Sequence, residues 1–354
     1  MERRGVVITG VGIVNACVCG QSPALGTYLA TPRGGAGRIA EATVAGLIEQ
    51  DEARRLSRIC QLALAAARLA LAESGAGPGE GLGLVVGTEF GDLGSTIDFA
   101  DGYLRRGTSG LSALLFPNTV MNTMAATTAI AIGAKALALT LNTPTVGGEL
   151  AVARGAAAVA AGRVDAVLAG GVDELDPRVV EQLTSLGGGE DIRGEGATFV
   201  MLEAEAEARR RGATILGRVA AGAWRALPAR PHGVGRGAAS QAIAAVLAMA
   251  AAEPRDLGWI YTSASGDTAR DAWERRVLGA ALGGSVPPAT SLAALIGHHA
   301  GLGALRVAAA AWTARAGLLP TVAGAAPARV AAGRGLVHGV ARGGTHVALV
   351  VDAA

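Results

Sequence analysis

Short apolar runs and helix-patterned segments alternate along this 354-residue chain, and the alternation starts again in its second half. Residues 6–9 read as a buried parallel strand, β-branched and without polar alternation, entering a tight turn at Gly10-Val11-Gly12. From 51 to 73, Leu56, Ile59, Cys60, Ala63, Ala67 and Ala70 recur at helical spacing, with Asp51 and Glu52 at the start and Gly75 at the end. Strands are expected at 82–87, 139–141 and 166–169, the last stopping at Gly170-Gly171, with a helix at 151–161. The second half supplies strands at 197–202, 215–220, 259–262, 335–340 and 346–351 and helices at 238–252, 269–282 and 301–315. Two similar α/β halves follow, 1–210 and 211–354, forming one compact unit. The Pro- and Gly-containing stretches 228–237 and 324–335 read as surface loops.

Composition removes several classes of function. Half of the chain is apolar (51%), enough for a large core, and 31 Lys plus Arg against 29 Asp plus Glu leave a net charge of +2. The longest like-charged run is Arg209 to Arg211, so no nucleic-acid or anionic-membrane footprint is present. No stretch of about 18 strongly apolar residues marks a membrane span, and the start passes from Met1-Glu2-Arg3-Arg4 straight into Val6-Val7-Ile8, unlike a signal peptide. Cys17, Cys19 and Cys60 are too few, and wrongly spaced, for a disulfide framework or a zinc site, which points to a reducing, cytoplasmic setting. Gly10-Val11-Gly12 does not complete a dinucleotide fingerprint, because Asn15 stands where the third glycine belongs.

Eight segments stand in order along the chain: Val6-Val7-Ile8-Thr9-Gly10-Val11-Gly12, Glu52-Ala53-Arg54-Arg55-Leu56, Val85-Val86-Gly87-Thr88, Phe116-Pro117-Asn118, residues Gly162 to Gly171, Gly194-Glu195-Gly196-Ala197, Gly297-His298 and Gly343-Gly344-Thr345. Together, and in this order, they resemble the β-ketoacyl synthase family of the thiolase fold. The resemblance implies a five-layered αβαβα thiolase-like arrangement. It also implies an active site of a cysteine, two histidines and a lysine, and these positions are mostly replaced. The nucleophile position falls on Thr145, the first histidine on Ser265, the lysine on Ala293 and the gating phenylalanine on Arg342, while His298 is kept. Lys135, the chain's one lysine, lies far away in sequence.

These replacements weigh on the chemistry. Condensation uses a thiolate, which a helix N-terminus and basic neighbours generate at neutral pH; a threonine hydroxyl needs a positioned base instead. Ser265 and Ala293 present no imidazole or cation to a developing enolate. A helix-start role for Thr143-Pro144-Thr145, capping and filling the first turn, accounts for these residues without catalysis. No catalytic residue is therefore expected.

The family resemblance implies a chain length factor, an inactive ketosynthase-like subunit that forms a heterodimer with an active ketosynthase and shapes the tunnel for a growing polyketide or polyene chain. Phe116, Val120, Met121 and Met124 are the tunnel or interface candidates, with ordinary core packing as the alternative reading. No metal or diffusible cofactor is expected, since phosphopantetheine arrives on a partner acyl carrier protein. Thr145 departs from the glutamine usual at this position in aromatic pathways. The family's loops are also compressed between 19 and 51 and between 174 and 194, where Ile192-Arg193 precedes Gly194. Two alternatives stay open: an acyltransferase or hydrolase-like enzyme using Thr145 with His298, and a purely structural subunit stabilising a ketosynthase. A homodimer is also open.

Overall fold

The computed structural model describes residues 4–77, 79–185, 191–230 and 233–354. Parts of the expected loops, 186–190 and 231–232, lie outside these, as do Met1 to Arg3.

Ten strands form one continuous path: β1 (Val6–Asn15), β2 (Leu82–Thr88), β3 (Leu137–Asn142), β4 (Ala166–Asp173), β5 (Gly196–Ala204), β6 (Gly217–Ala226), β7 (Ile260–Tyr261), β8 (Ala289–Thr290), β9 (Arg334–Val340) and β10 (Thr345–Asp352). Their order is β3-β2-β4-β5-β1-β6-β10-β9-β7-β8. Outward from the middle, each side runs antiparallel, antiparallel, parallel, parallel. The two sides meet only at a short antiparallel rung, Val7 opposite Arg218 and Ile8 opposite Gly217.

Helices fill the spaces around and between these two sheet halves. Helices α1 (Arg58–Ser74), α2 (Leu93–Arg106) and α3 (Thr123–Ile132) belong to the first half, and α5 (Gln241–Met249) and α6 (Thr268–Ala281) to the second. Between the halves lie α4 (Gly147–Ala160) and α7 (Gly301–Ala316), each touching strands of both. The core divides accordingly: one apolar cluster surrounds α4 and α7, one lies under α1 and α3, and one under α5 and α6. The layers are αβαβα, the thiolase-like arrangement.

Local chemistry explains where the elements depart from the sequence reading. The residues at Gly10-Val11-Gly12 form no turn: β1 runs through them to Asn15, and its sheet neighbours β5 and β6 are antiparallel, not parallel. The glycines let α1 lie directly on the strand, since a Cβ on Gly12 would sit 1.9 Å from the Ala66 carbonyl oxygen and one on Gly10 2.2 Å from that of Ala70. β4 likewise continues through Gly170-Gly171 to Asp173. The helix expected over 51–73 is interrupted: a short turn at Gln50–Ala53 precedes α1, which begins after Ser57 and ends at Gly75 in the left-handed conformation. Helix α2 and a helix at Pro177–Ser185 went unread, because both are largely polar segments without a buried residue.

Candidate functional site

Thr145 lies in the link between β3 and α4. Asn142 Nδ2 donates to the Glu89 carbonyl at 2.8 Å, and Thr143 N donates to that of Thr88 at 3.1 Å, tying this link to the end of β2. Thr145 is buried and adopts φ 66°, a left-handed conformation unfavourable for a β-branched residue. The capping role expected of Thr143-Pro144-Thr145 is not what forms: α4 starts at Gly147, its N-cap is Val146, and no side chain caps it. The Thr145 hydroxyl turns to a different partner, accepting a hydrogen bond from Arg270 Nη1 at 3.1 Å.

Arg270, 1% exposed, stands in the first turn of α6, whose N-cap Asp267 accepts from the Arg270 backbone N–H at 3.1 Å. Its Nη2 donates to the Ser263 carbonyl at 3.1 Å and to Ser265 Oγ, and Ser265 Oγ donates to Asp191. Asp271 and Asp191 lie 3.4 and 3.5 Å from the same nitrogen. The structure therefore brings Thr145 and Ser265 together, joined by a guanidinium. Arg342 closes the outer side: it pairs in a fork with Asp267, Nε to Oδ2 at 2.5 Å and Nη2 to Oδ1 at 2.7 Å, so the turn before Gly343-Gly344 is fixed to the start of α6.

His298 is buried and belongs to a neighbouring group. The 191–194 segment is stitched between the two family histidine positions: Ile192 N donates to the Ser265 carbonyl at 3.1 Å, His298 N to the Ile192 carbonyl at 2.6 Å, and Gly194 N to the His298 carbonyl at 3.1 Å. His298 Nε2 stands 3.6 Å from Glu89 Oε2, too far for a hydrogen bond, and has no other partner among the described residues. Burial would raise the Glu89 carboxyl, but His298 and Arg193, the latter donating at 3.1 Å, hold it down at about 2. Burial and the charge of Glu89 push Asp173 up to about 6 despite bonds from Thr88, Glu89 and Ala300. Partial burial, with Asp92, Asp176 and Glu195 nearby, raises Glu174 to about 7. His299 is pushed down to about 3 by burial and by His298.

Ala293, at the lysine position, is a buried methyl group in a short helix, Ala293–Ile296. Lys135 is on the surface, paired with Glu80 at 2.7 Å. Among the described residues, no cluster of three or more His, Cys, Asp or Glu could hold a metal and no helix is long and apolar enough to cross a membrane.

The interface candidates separate. Phe116 is 60% exposed, Val120 and Met121 are also exposed, and Phe116 packs on Phe99 of α2 with ring centroids 6.0 Å apart. Met124 is fully buried in the core under α1 and offers no surface. Tyr103, Leu104, Leu114 and Ile130 are also exposed, and α3, which carries Ile130, packs on β3, the outermost strand of the path on this side. Sequence reasoning missed Arg270, Glu89, Asp191 and the role of Arg193. The one local signal was Asp267, three residues before Arg270 and placed as an N-cap.

Residues 41–208 match the model for the β-ketoacyl synthase N-terminal domain. A Streptomyces virginiae protein named as a polyketide β-ketoacyl synthase is 29% identical over 323 residues, 80% of this chain and 76% of that protein. Among solved structures, the ishigamide ketosynthase/chain length factor superposes with a TM-score of 0.88 at 20% identity, covering 99% of this chain and 100% of that one. A type II PKS acyl-carrier protein in complex with its ketosynthase bound to the hexaketide gives 0.82 at 19% identity, with both chains fully covered. At such identity the superpositions speak for the fold. With its glycine-threaded first strand, its two-sided sheet and the link that carries Thr145 into α4, the chain has the thiolase-like fold of the ketosynthases on which it superposes, and its residues 41–208 match the β-ketoacyl synthase N-terminal domain.

Proposed function

We propose that this chain is a non-condensing ketosynthase-like subunit, a chain length factor, that pairs with an active ketosynthase and helps shape the space for a polyketide or polyene chain carried on an acyl carrier protein. The observation that carries this reading is Arg270. Its guanidinium joins the hydroxyls at the family's nucleophile and first-histidine positions, so the room in which an acyl thioester would react holds a protein cation. A guanidinium only donates and cannot take the Thr145 proton. The Thr145–His298 enzyme reading gains no support, since His298 approaches Glu89 instead. The partner face combines the apolar patch of exposed side chains Tyr103, Leu104, Leu114, Phe116, Val120 and Met121 with the free outer edge of β3, which ends the path of strands. The names of the structural neighbours, a ketosynthase/chain length factor and an acyl-carrier protein with its ketosynthase, agree with this assignment.

The test is capture of the tagged protein from its native host, with native mass and identification of what accompanies it. A one-to-one complex with a ketosynthase that retains its cysteine supports the proposal. A homodimer without any synthase overturns it.

A further inference from the structure

Beneath α5 and α6 runs a buried chain of four side chains from four elements. Ser240 Oγ, at the N-cap of α5, lies 3.0 Å from His346 Nδ1 on β10. His346 Nε2 lies 2.9 Å from His338 Nε2 on β9, and His338 Nδ1 lies 2.7 Å from Glu274 Oε1 on α6. All four residues are at least nine-tenths buried. Glu274 also accepts from Ser263 N at 3.1 Å and Ser263 Oγ at 2.9 Å, and it is Ser263 whose carbonyl receives Arg270. Among the described residues, the charged groups facing the imidazole pair are Glu274 from α6 and Arg306 from α7, whose partner is Glu149 of α4; α5 contributes the Ser240 hydroxyl.

The carboxylate at one end fixes the direction of every bond. With Glu274 ionised, His338 Nδ1 carries the proton and donates to it, which leaves His338 Nε2 as acceptor. His346 Nε2–H then donates to His338, and His346 Nδ1 accepts from the Ser240 hydroxyl, while Ser240 Oγ accepts from Ile243 N at 3.1 Å. In this arrangement each ring nitrogen is engaged. A proton from solvent finds no vacant lone pair. On His338 Nε2 it would place two N–H groups face to face across 2.9 Å; on His346 Nδ1 it would drive the Ser240 hydroxyl hydrogen off its only acceptor.

We propose that the Ser240–His346–His338–Glu274 chain is an acid-sensitive latch that holds α6 and α5 on the sheet, released when an imidazole takes up a proton. Because α6 carries Arg270 and Asp267, release also draws the guanidinium away from Thr145; that consequence rests on the site reading above, whereas the latch does not. His346, pushed down to about 2 by burial and by His338, fits a ring that charges only once the chain has opened. The protonated form of a free imidazole with pKa near 6.5 favours the open state by roughly thirty-fold between pH 7.5 and 5.0.

Hydrogen–deuterium exchange on the full chain, corrected for the intrinsic pH dependence, tests this with peptides from α6 and α5 and with α1 as internal control. In the wild type, opening of α6 should rise up to about thirty-fold from pH 7.5 to 5.0 while α1 stays protected. In His346→Asn that rise should vanish. Ser240→Ala, which frees His346 Nδ1 to take a proton within the closed fold, should reduce the rise without removing a ring, and it serves if the asparagine variant does not fold. Equal protection of α6 at both pH values in the wild type, or the same rise in His346→Asn, overturns the latch. Neither readout involves Thr145 or a partner subunit, so failure here leaves the chain length factor reading standing, and the reverse holds.

Discussion

Arg270 donates to the Thr145 hydroxyl across 3.1 Å, and this bond joins the first turn of α6 to the strained link that leads into α4. Two parts of the chain 125 residues apart thereby hold each other in place.

Removing the cation leaves its neighbours unsatisfied. Arg270→Met should cost about 2 kcal/mol in urea unfolding, because Thr145 Oγ1 and the Ser263 carbonyl lose a buried donor and Asp191 a nearby charge. A change below about 0.5 kcal/mol would mean that the guanidinium is a bystander.

Strain and hydrogen bonding at residue 145 can be separated. Thr145→Val keeps the β-branch and the positive φ but deletes the acceptor, for an expected loss of about 1–2 kcal/mol. Thr145→Gly deletes the same acceptor while relieving about 1–2 kcal/mol of left-handed strain, so it should stay within about 1 kcal/mol of wild type. Chemical unfolding of the pair checks the order; a valine variant as stable as the glycine one contradicts it.

Restoring the thiol should not restore condensation. In Thr145→Cys, Ser265 and Ala293 still supply no imidazole and no lysine, so product formation from a malonyl carrier should remain at background in a ketosynthase-free assay. Condensation by this single variant would remove the argument for a non-condensing subunit.

The acid and base limbs of stability trace to different groups. Glu174, raised from 4.5 to about 7, favours folding most when protonated: that contribution is full below about 4.5 and is lost as pH rises through 7. Glu174→Gln should therefore match wild type near pH 4 and exceed it by about 2 kcal/mol at pH 8. His299 works in the other sense. Its depressed value gives a contribution present above about 6.5 and lost as pH falls toward 3, and Glu89, held at about 2, adds a further loss below about 4.5. Thermal unfolding from pH 4 to 8 reads both limbs, and an unchanged Glu174→Gln profile would refute the first.

The exposed patch can be addressed without disturbing the core. Phe116→Asp should shift stability by no more than about 0.5 kcal/mol yet abolish co-purification with a ketosynthase partner. Retention of the complex would place the partner face elsewhere.

The alternating halves and the order of the family segments were legible because period and spacing survive divergence. Gly10 and Gly12 misled, since glycine marks both a turn and the close approach of another backbone, and only the position of α1 decides between them. Met124 was indistinguishable from its exposed neighbour Met121, because one stretch of sequence supplies both core and surface. Thr145, Ser265 and His298 were found through the family pattern, but Arg270 was not. An arginine near a helix start, flanked by Asp267 and Asp271, reads as a solvated charge, and its burial follows from tertiary placement alone.

The Ala- and Gly-rich sequences of α4 and α7 have a cause in their place between two sheets. Where the two helices face each other there is no room for a longer side chain, since a Cβ on Gly148 would sit 2.1 Å from the Ala300 carbonyl oxygen and one on Gly303 2.4 Å from the Glu149 nitrogen, while long side chains such as Arg154 and Trp312 stand where the helices leave that contact. The side chain that fills the pocket therefore comes from outside this layer: Arg270, on an outer helix, reaches Thr145 and Ser265.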